Sequence, residues 1–186
     1  MTIMDNIRNN PDETHLITQE MLDWVGSRSL PLTSPDISES DIRRAAIAMY
    51  WPEVPPRIYW DSNYAIETVW KGIVAPAEMN PFSWIVGRAH IGPQPNRINS
   101  DQNTIEESRQ LRPPGAPKNY LFGGLKSSYY SLMRPGDKIT SIITATDVYE
   151  KKGSTGQMLF YLTNEIWTNQ NNKTIKETVT TNIQWE

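Results

Sequence analysis

The sequence predicts an α+β fold, with helices in the first half, an antiparallel meander in the last third and a proline-rich stretch between them. Three observations predict it. After Ser38, Ile42, Ala45, Ala46 and Met49 fall at i, i+3, i+4 and i+7, the spacing of one helix face. From about Tyr120 the apolar period drops to two, the signature of half-buried strands. The long period-two segments are joined by short turn clusters, so they must be antiparallel neighbours, since a parallel pair needs a crossover. Helices first and strands later is the α+β order.

Each element has a local reason. Thr18 to Val25 reads as a short helix, with Thr18 as N-cap and Gly26 as the residue that stops it. Ser38 opens the next helix, and Asp41 stands at capping-box distance. Asp41, Arg43 and Arg44 make its other face polar. Pro52, Pro55 and Pro56 end that helix and force an extended or turned path, because proline restricts itself and its predecessor. Asp61 and Ser62 can cap a short helix through Ala65. In the string Gly72 to Met79, Pro76 occupies a helix-start position where a missing N–H costs nothing. A mostly apolar, buried helix is expected to follow through Met79, Phe82, Trp84, Ile85 and Val86, irregular near Pro81.

Residues 87–119 carry five prolines and three glycines and read as a long surface excursion, with one helical turn around Ile105 to Arg109. Lys126 to Arg134 is a strand candidate, and Pro135-Gly136 a turn with Gly at the positive-φ position. Lys138 to Glu150 places Ile142, Thr144, Thr146 and Val148 on one face. Met158 to Thr168 alternates Met158, Phe160, Leu162 and Ile166 with Leu159, Tyr161, Thr163 and Trp167. Thr174 to Trp185 sets Ile175, Val179, Ile183 and Trp185 against Lys176, Thr178, Thr180 and Gln184. Lys151-Lys152-Gly153 with Gly156, and Asn169 to Asn172, are the turns.

Length and composition exclude several function classes. The 186 residues suit one domain, residues 18–186, behind a flexible segment 1–17 and interrupted by the loop insertion 87–119. Zero cysteines exclude disulfides, thiolate metal sites and a cysteine nucleophile. Two histidines, His15 and His90, leave no His-rich metal site, so no metal is expected. A net charge of −3 without a basic run argues against nucleic acid. No apolar run is long enough for a membrane helix, and the N-terminus lacks a secretory pattern, so the expected location is cytoplasmic. Seven Trp and eight Tyr against three Phe point to an interface or ligand groove as readily as to a filled core.

The strings then become recognisable. Pro56-Arg57-Ile58-Tyr59-Trp60-Asp61-Ser62-Asn63-Tyr64-Ala65 followed by Gly72-Ile73-Val74-Ala75-Pro76 resembles the N-terminal part of MaoC-like dehydratase domains. Arg134-Pro135-Gly136-Asp137-Lys138-Ile139-Thr140 and Val148-Tyr149-Glu150-Lys151-Lys152-Gly153 through Gly156 fit the branch similar to type I fatty acid synthases. The resemblance runs from about Gln19 to the end. It implies a hot-dog fold, in which a curved antiparallel sheet wraps a central helix. It also implies hydration of a trans-2-enoyl thioester, or the reverse, with coenzyme A as substrate carrier and no other cofactor.

In that family an Asp and a His on the loop after the first helix handle the water, and an N–H at the central helix start polarises the thioester carbonyl. Here the resemblance places Tyr59 at the histidine position and Glu53 or Val54 at the aspartate position. A phenol of ordinary pKa near 10 is a poor base at neutral pH. Pro76 fills the N–H position and has none to offer, so Ala77 would have to donate. Ala75, Pro76 and Ala77 are substrate-binding candidates, with Phe122-Gly123-Gly124, which suits a turn or a pantetheine arm. Asp61 is the structural cap; Arg57, Lys118 and Lys126 are candidate phosphate contacts; His90 can bond a loop or a ligand.

Three losses together imply a degenerate half, similar to the non-catalytic partners in heteromeric enoyl-CoA hydratases that take bulky, steroid-like acyl groups. Two other readings stay open: a self-sufficient homodimeric hydratase using Glu53 and Tyr59, and a module that binds acyl-CoA or lipid without chemistry. All imply an acyl-CoA thioester or a related lipid as ligand. The sheet edge implies a homodimer or a heteromer.

Overall fold

The computed structural model describes residues 15–83, 111–153 and 156–186. Its described helices are α1 (Gln19–Trp24), α2 (Glu39–Tyr50) and α3 (Ser62–Glu67), with a 3-10 turn at Arg57–Tyr59. Thr18 caps α1, and Gly26 follows it at φ +93°, a left-handed stop that glycine adopts without strain. Ser38 and Asp41 close a capping box at the start of α2: Ser38 Oγ accepts from Asp41 N–H, and Asp41 accepts from Ser38 N–H at 2.9 Å.

Two details of α2 depart from its sequence pattern. Asp41 is buried rather than on a polar face, because the box folds its carboxylate onto Ser38 while Arg44 binds it at 2.8 Å. Met49 is exposed, because the last turn of α2 runs past the core that Ile42 and Ala46 fill.

The sheet contains five antiparallel strands in the order β1-β3-β4-β5-β2. They are β1 (Leu32–Thr33), β2 (Asn119–Tyr129), β3 (Ile139–Gly153), β4 (Gly156–Asn169) and β5 (Thr174–Trp185). β2 begins seven residues before the candidate Lys126 and ends before Arg134. The glycine pair that reads as a break is absorbed inside the strand as a bulge between Phe122 and Gly124. From Tyr130 the chain leaves the edge, and Tyr130 N–H donates to Ile175 O.

The side that packs on the helices carries Leu159, Tyr161, Thr163, Glu165 and Trp167 from β4. Bulges in both neighbours overturn a single-face reading of each. In β3 the register shifts at Thr146, so Ser141, Ile143 and Ala145 share the inner face with Val148. In β5 the shift lies beside Ile175, and it is the polar set Lys176, Thr178, Thr180, Asn182 and Gln184 that faces inward. Val179, Ile183 and Trp185 lie on the outer face. An added residue reverses the side on which a period-two pattern points.

A second correction concerns the central helix. Over residues 77–83 the chain makes turns, with Met79 N–H donating to Pro76 O at 3.0 Å. Pro81 explains the interruption: it has no N–H to bond the fourth residue back, and its ring clashes with that carbonyl. Trp84, Ile85, Val86, His90 and the turn at Ile105 to Arg109 lie outside the described residues.

The core has two centres. Ile37, Ile42, Ile73, Met133, Ile139, Trp167 and Ile175 form one; Ile17, Met21, Val148, Leu159 and Tyr161 form the other. The Arg134-Pro135-Gly136-Asp137 turn clasps the first. Gly136 sits at φ +87°, Gly136 N–H donates to Ile37 O, and buried Asp137 accepts from Arg134 N–H at 2.8 Å and from Gln170 at 3.2 Å. The recognisable string is thus a structural junction of β3, the α2 entry and the β4–β5 turn.

Packing already begins at His15, ahead of residue 18. Ile17 is buried, Leu16 N–H donates to Glu150 Oε2 at 2.8 Å, and His15 Nδ1 lies 2.6 Å from Glu150 Oε1. Burial works to raise the Glu150 carboxyl, but hydrogen bonds from His15, Leu16 N–H and Gln157 outweigh it and hold the carboxyl below its ordinary value. A carboxylate lowered on folding stabilises the fold above its unfolded pKa and loses that contribution as pH falls through the folded value. Glu150→Gln is therefore expected to cost about 1 kcal/mol in urea melts at pH 7, after allowance for solvent screening. The difference from wild type should shrink as pH falls through the lowered folded value, where the wild-type side chain also becomes neutral; a gap unchanged by acid would contradict this.

Candidate active site

The site is built from the loop after α2 and the string leading to Pro76. α2 ends at Tyr50, and Glu53 N–H donates to Tyr50 O at 2.7 Å to close a turn. The loop then runs extended through Pro55 and Pro56 into the 3-10 turn that carries Tyr59. Asp61 caps α3, accepting from Tyr64 N–H at 3.0 Å and from Arg57 Nη2 at 2.7 Å. These bonds, Tyr64 N–H first and Arg57 next, lower the Asp61 pKa. Arg57 also lies over the Tyr64 ring at 4.7 Å, so its charge is engaged within the loop.

Tyr59 is half-buried and packs against the first core centre. Its ring lies 5.9 Å from that of Tyr50, tilted by 40°. Burial first, and the Tyr50 contact next, push the Tyr59 phenol up to about 12. At neutral pH it is a protonated hydroxyl and cannot accept a proton as a base. A cavity of about 360 Å³ adjoins it, lined also by Trp60, Ile73 and Arg43. Glu53 is exposed on its turn, and among the described residues no hydrogen bond joins it to Tyr59.

Ala75 and Pro76 are buried. Ala75 N–H is consumed by Met133 O at 2.8 Å, and Pro76 has no N–H. Ala77 is half-buried at the first corner of the following turn, where its N–H meets no backbone acceptor among the described residues. Phe122-Gly123-Gly124 lies inside β2, at its bulge, rather than in a turn. A Cβ on Gly123 would meet Ile183 Cγ1 and Thr181 O at 3.1 Å, so the close approach it permits is to β5. Lys118 and Lys126 are exposed.

Sequence reasoning missed four residues beside the Pro76 turn. Glu78 accepts from the Tyr129 hydroxyl, and its other oxygen lies 3.7 Å from Lys176 Nζ. Lys176 Nζ sits 5.1 Å from the Tyr129 ring centre and 4.9 Å from that of Trp167, and its side chain is only 13% exposed. A lysine so caged is held in place beside the Pro76 turn. Its signal was present in the polar set of β5, but that set reads as solvent-facing until the bulge beside Ile175 is known.

Comparison with known proteins follows the same lines. The FAS1-like dehydratase domain region matches residues 23–178. No curated protein matches the chain. Among solved structures, the ChsH1-ChsH2 complex from Mycobacterium tuberculosis aligns with TM-score 0.61 at 16% identity, over 98% of this chain and 92% of that one. The HadBC (3R-hydroxyacyl-ACP dehydratase) complex of the same organism gives 0.54 at 15%, over 87% and 97%. The MaoC-like dehydratase from Rhodospirillum rubrum gives 0.52 at 14%, over 87% and 92%. At such identities the structures establish the hot-dog architecture, and the domain match, spanning most of the chain, establishes kinship. This chain belongs to the FAS1-like dehydratase family and shares the hot-dog fold of the MaoC-like dehydratases.

Proposed function

We propose that this chain is the substrate-accommodating half of a heteromeric (R)-specific enoyl-CoA hydratase, working beside a MaoC-like chain that keeps the Asp–His pair. The observation that carries this reading is Tyr59: the group at the family's histidine position is a phenol packed beside Tyr50 and pushed up by burial to about 12. Hydration needs a base near neutral pKa for the water and a donor for the enolate oxygen that builds on the thioester. Here the base position is protonated, the carboxylate candidate is exposed on a separate turn, and Pro76 replaces the amide. Two of the similar structures, ChsH1-ChsH2 and HadBC, are complexes of unlike chains, which supports a partner of that kind.

The full-length chain, assayed alone on crotonyl-CoA and on a bulky branched enoyl-CoA, should show only background hydration. Robust turnover by the isolated chain, lost in Tyr59→Phe or Glu53→Gln, would establish a self-sufficient enzyme instead. Calorimetric binding of acyl-CoA with no hydration in any pairing would make it a binding module.

A further inference from the structure

The inner face of the sheet is apolar at its two ends, and between them β4 and β5 present polar side chains beside Ile143 and Ala145 of β3. At one end stands Trp167 with Ile139, at the other Leu159 with Val148. Between them lies a cavity of about 450 Å³ lined by Tyr120, Tyr161, Thr163, Thr180, Asn182 and Gln184, with Arg112 at its side. A volume of this order suits a small organic group.

Gln184 is 1% exposed, and among the described residues its Oε1 has no hydrogen-bond partner. A buried acceptor left unpaired is destabilising, because it has given up its bond to water without replacing it. Asn182 is differently placed: its Oδ1 accepts from Tyr120 O–H at 2.8 Å. The Tyr161 ring is fixed between Trp24, at 5.8 Å and edge-on, and the second core centre. Burial, and after it Tyr120, push the Tyr161 phenol up to about 12, so it stays a neutral O–H. Arg112 Nη2 donates to Ala116 O at 3.0 Å and to Pro117 O, which anchors the guanidinium to its own loop. The polarity does not come from a shortage of apolar residues in β5, since Val179, Ile183 and Trp185 alternate with these positions on the outer face.

Resting on the hydratase-subunit reading, we propose that this cavity holds the distal end of the acyl group and that this end bears a hydroxyl, donated to Gln184 Oε1. A plain alkyl end would fill the space but leave Gln184 unpaired. A hydroxyl satisfies it and can accept in turn from the Thr163 or Thr180 hydroxyl. A site that hydrogen-bonds a substrate hydroxyl discriminates strongly against the analogue without it.

The test is isothermal titration of the full-length chain with dodecanoyl-CoA and ω-hydroxydodecanoyl-CoA. Wild type should bind the hydroxylated thioester at least tenfold more tightly. The preference should fall below twofold in Gln184→Leu, and should shrink in the near-isosteric Thr163→Val, which keeps the fold testable if the first variant misfolds. Equal affinities in wild type, no binding of either thioester, or a preference untouched by both variants overturns the proposal. The hydratase reading is judged separately. A hydroxyl preference without hydration in any reconstituted pair leaves this inference standing and removes that reading; equal binding with hydration does the reverse.

Discussion

Mixing this chain with a MaoC-like partner that retains the Asp–His pair is expected to raise hydration of a bulky enoyl-CoA at least about 10⁴-fold over this chain alone, the combined scale of a positioned base and a carbonyl donor. In that complex Tyr59→Phe should change kcat less than about twofold, because the phenol moves no proton in the reaction. The same logic predicts that Tyr59→His fails to rescue the isolated chain. A histidine there would restore a basic nitrogen, but Glu53 stays exposed on its turn and Pro76 still offers no N–H. The absent donor alone accounts for about 10²–10³ in rate. Absorbance assays of enoyl loss would read all three results. A drop of two orders of magnitude on Tyr59→Phe in the complex would mean that the hydroxyl takes part in the chemistry.

Phe122→Lys combined with Leu125→Lys should weaken association with any partner at least 100-fold while leaving the fold melting normally. β2 is an eleven-residue edge strand: β5 covers one side, and among the described residues no strand covers the other. It exposes Phe122 at 50% and Leu125 at 61% of their surface, next to exposed Tyr120, Leu121 and Tyr130. A long apolar edge of this kind pairs with another strand or aggregates, and paired lysines are a natural means of blocking it. Because both side chains are exposed already, the substitutions remove little intramolecular packing. Sedimentation or light scattering across a dilution series would report the change. Unaltered association in the double variant would place the interface elsewhere.

The sequence and the structure agree where local chemistry is sufficient. Thr18, Ser38 and Asp61 act as caps because a side-chain oxygen in front of a helix has one productive use. Pro135-Gly136 and Asn169 to Asn172 turn because their residues favour the required dihedrals, with Asn172 at φ 57°. Agreement ends where one residue in a ladder changes the phase. The bulges at Thr146, Gly123 and beside Ile175 are set by pairing with neighbouring strands, which no local pattern encodes. For that reason Lys176 and Gln184 read as solvent-facing and lie inside. The candidate site was legible in the same measure. Its position follows from the strings around Tyr59 and Pro76, whereas the Tyr50 contact and the caged Lys176 depend on segments far apart in the chain.

The phase shift in β5 also bears on how this protein can vary through descent. Losing a single codon at the bulge would rotate every later side chain of the strand by half a pleat. Valine, isoleucine and tryptophan would then turn toward the helices, and the amide and hydroxyl lining would turn toward water. One small deletion could therefore convert a hydrophilic chamber into an ordinary oily interior, so relatives that differ in length at this point are expected to differ in what they accommodate.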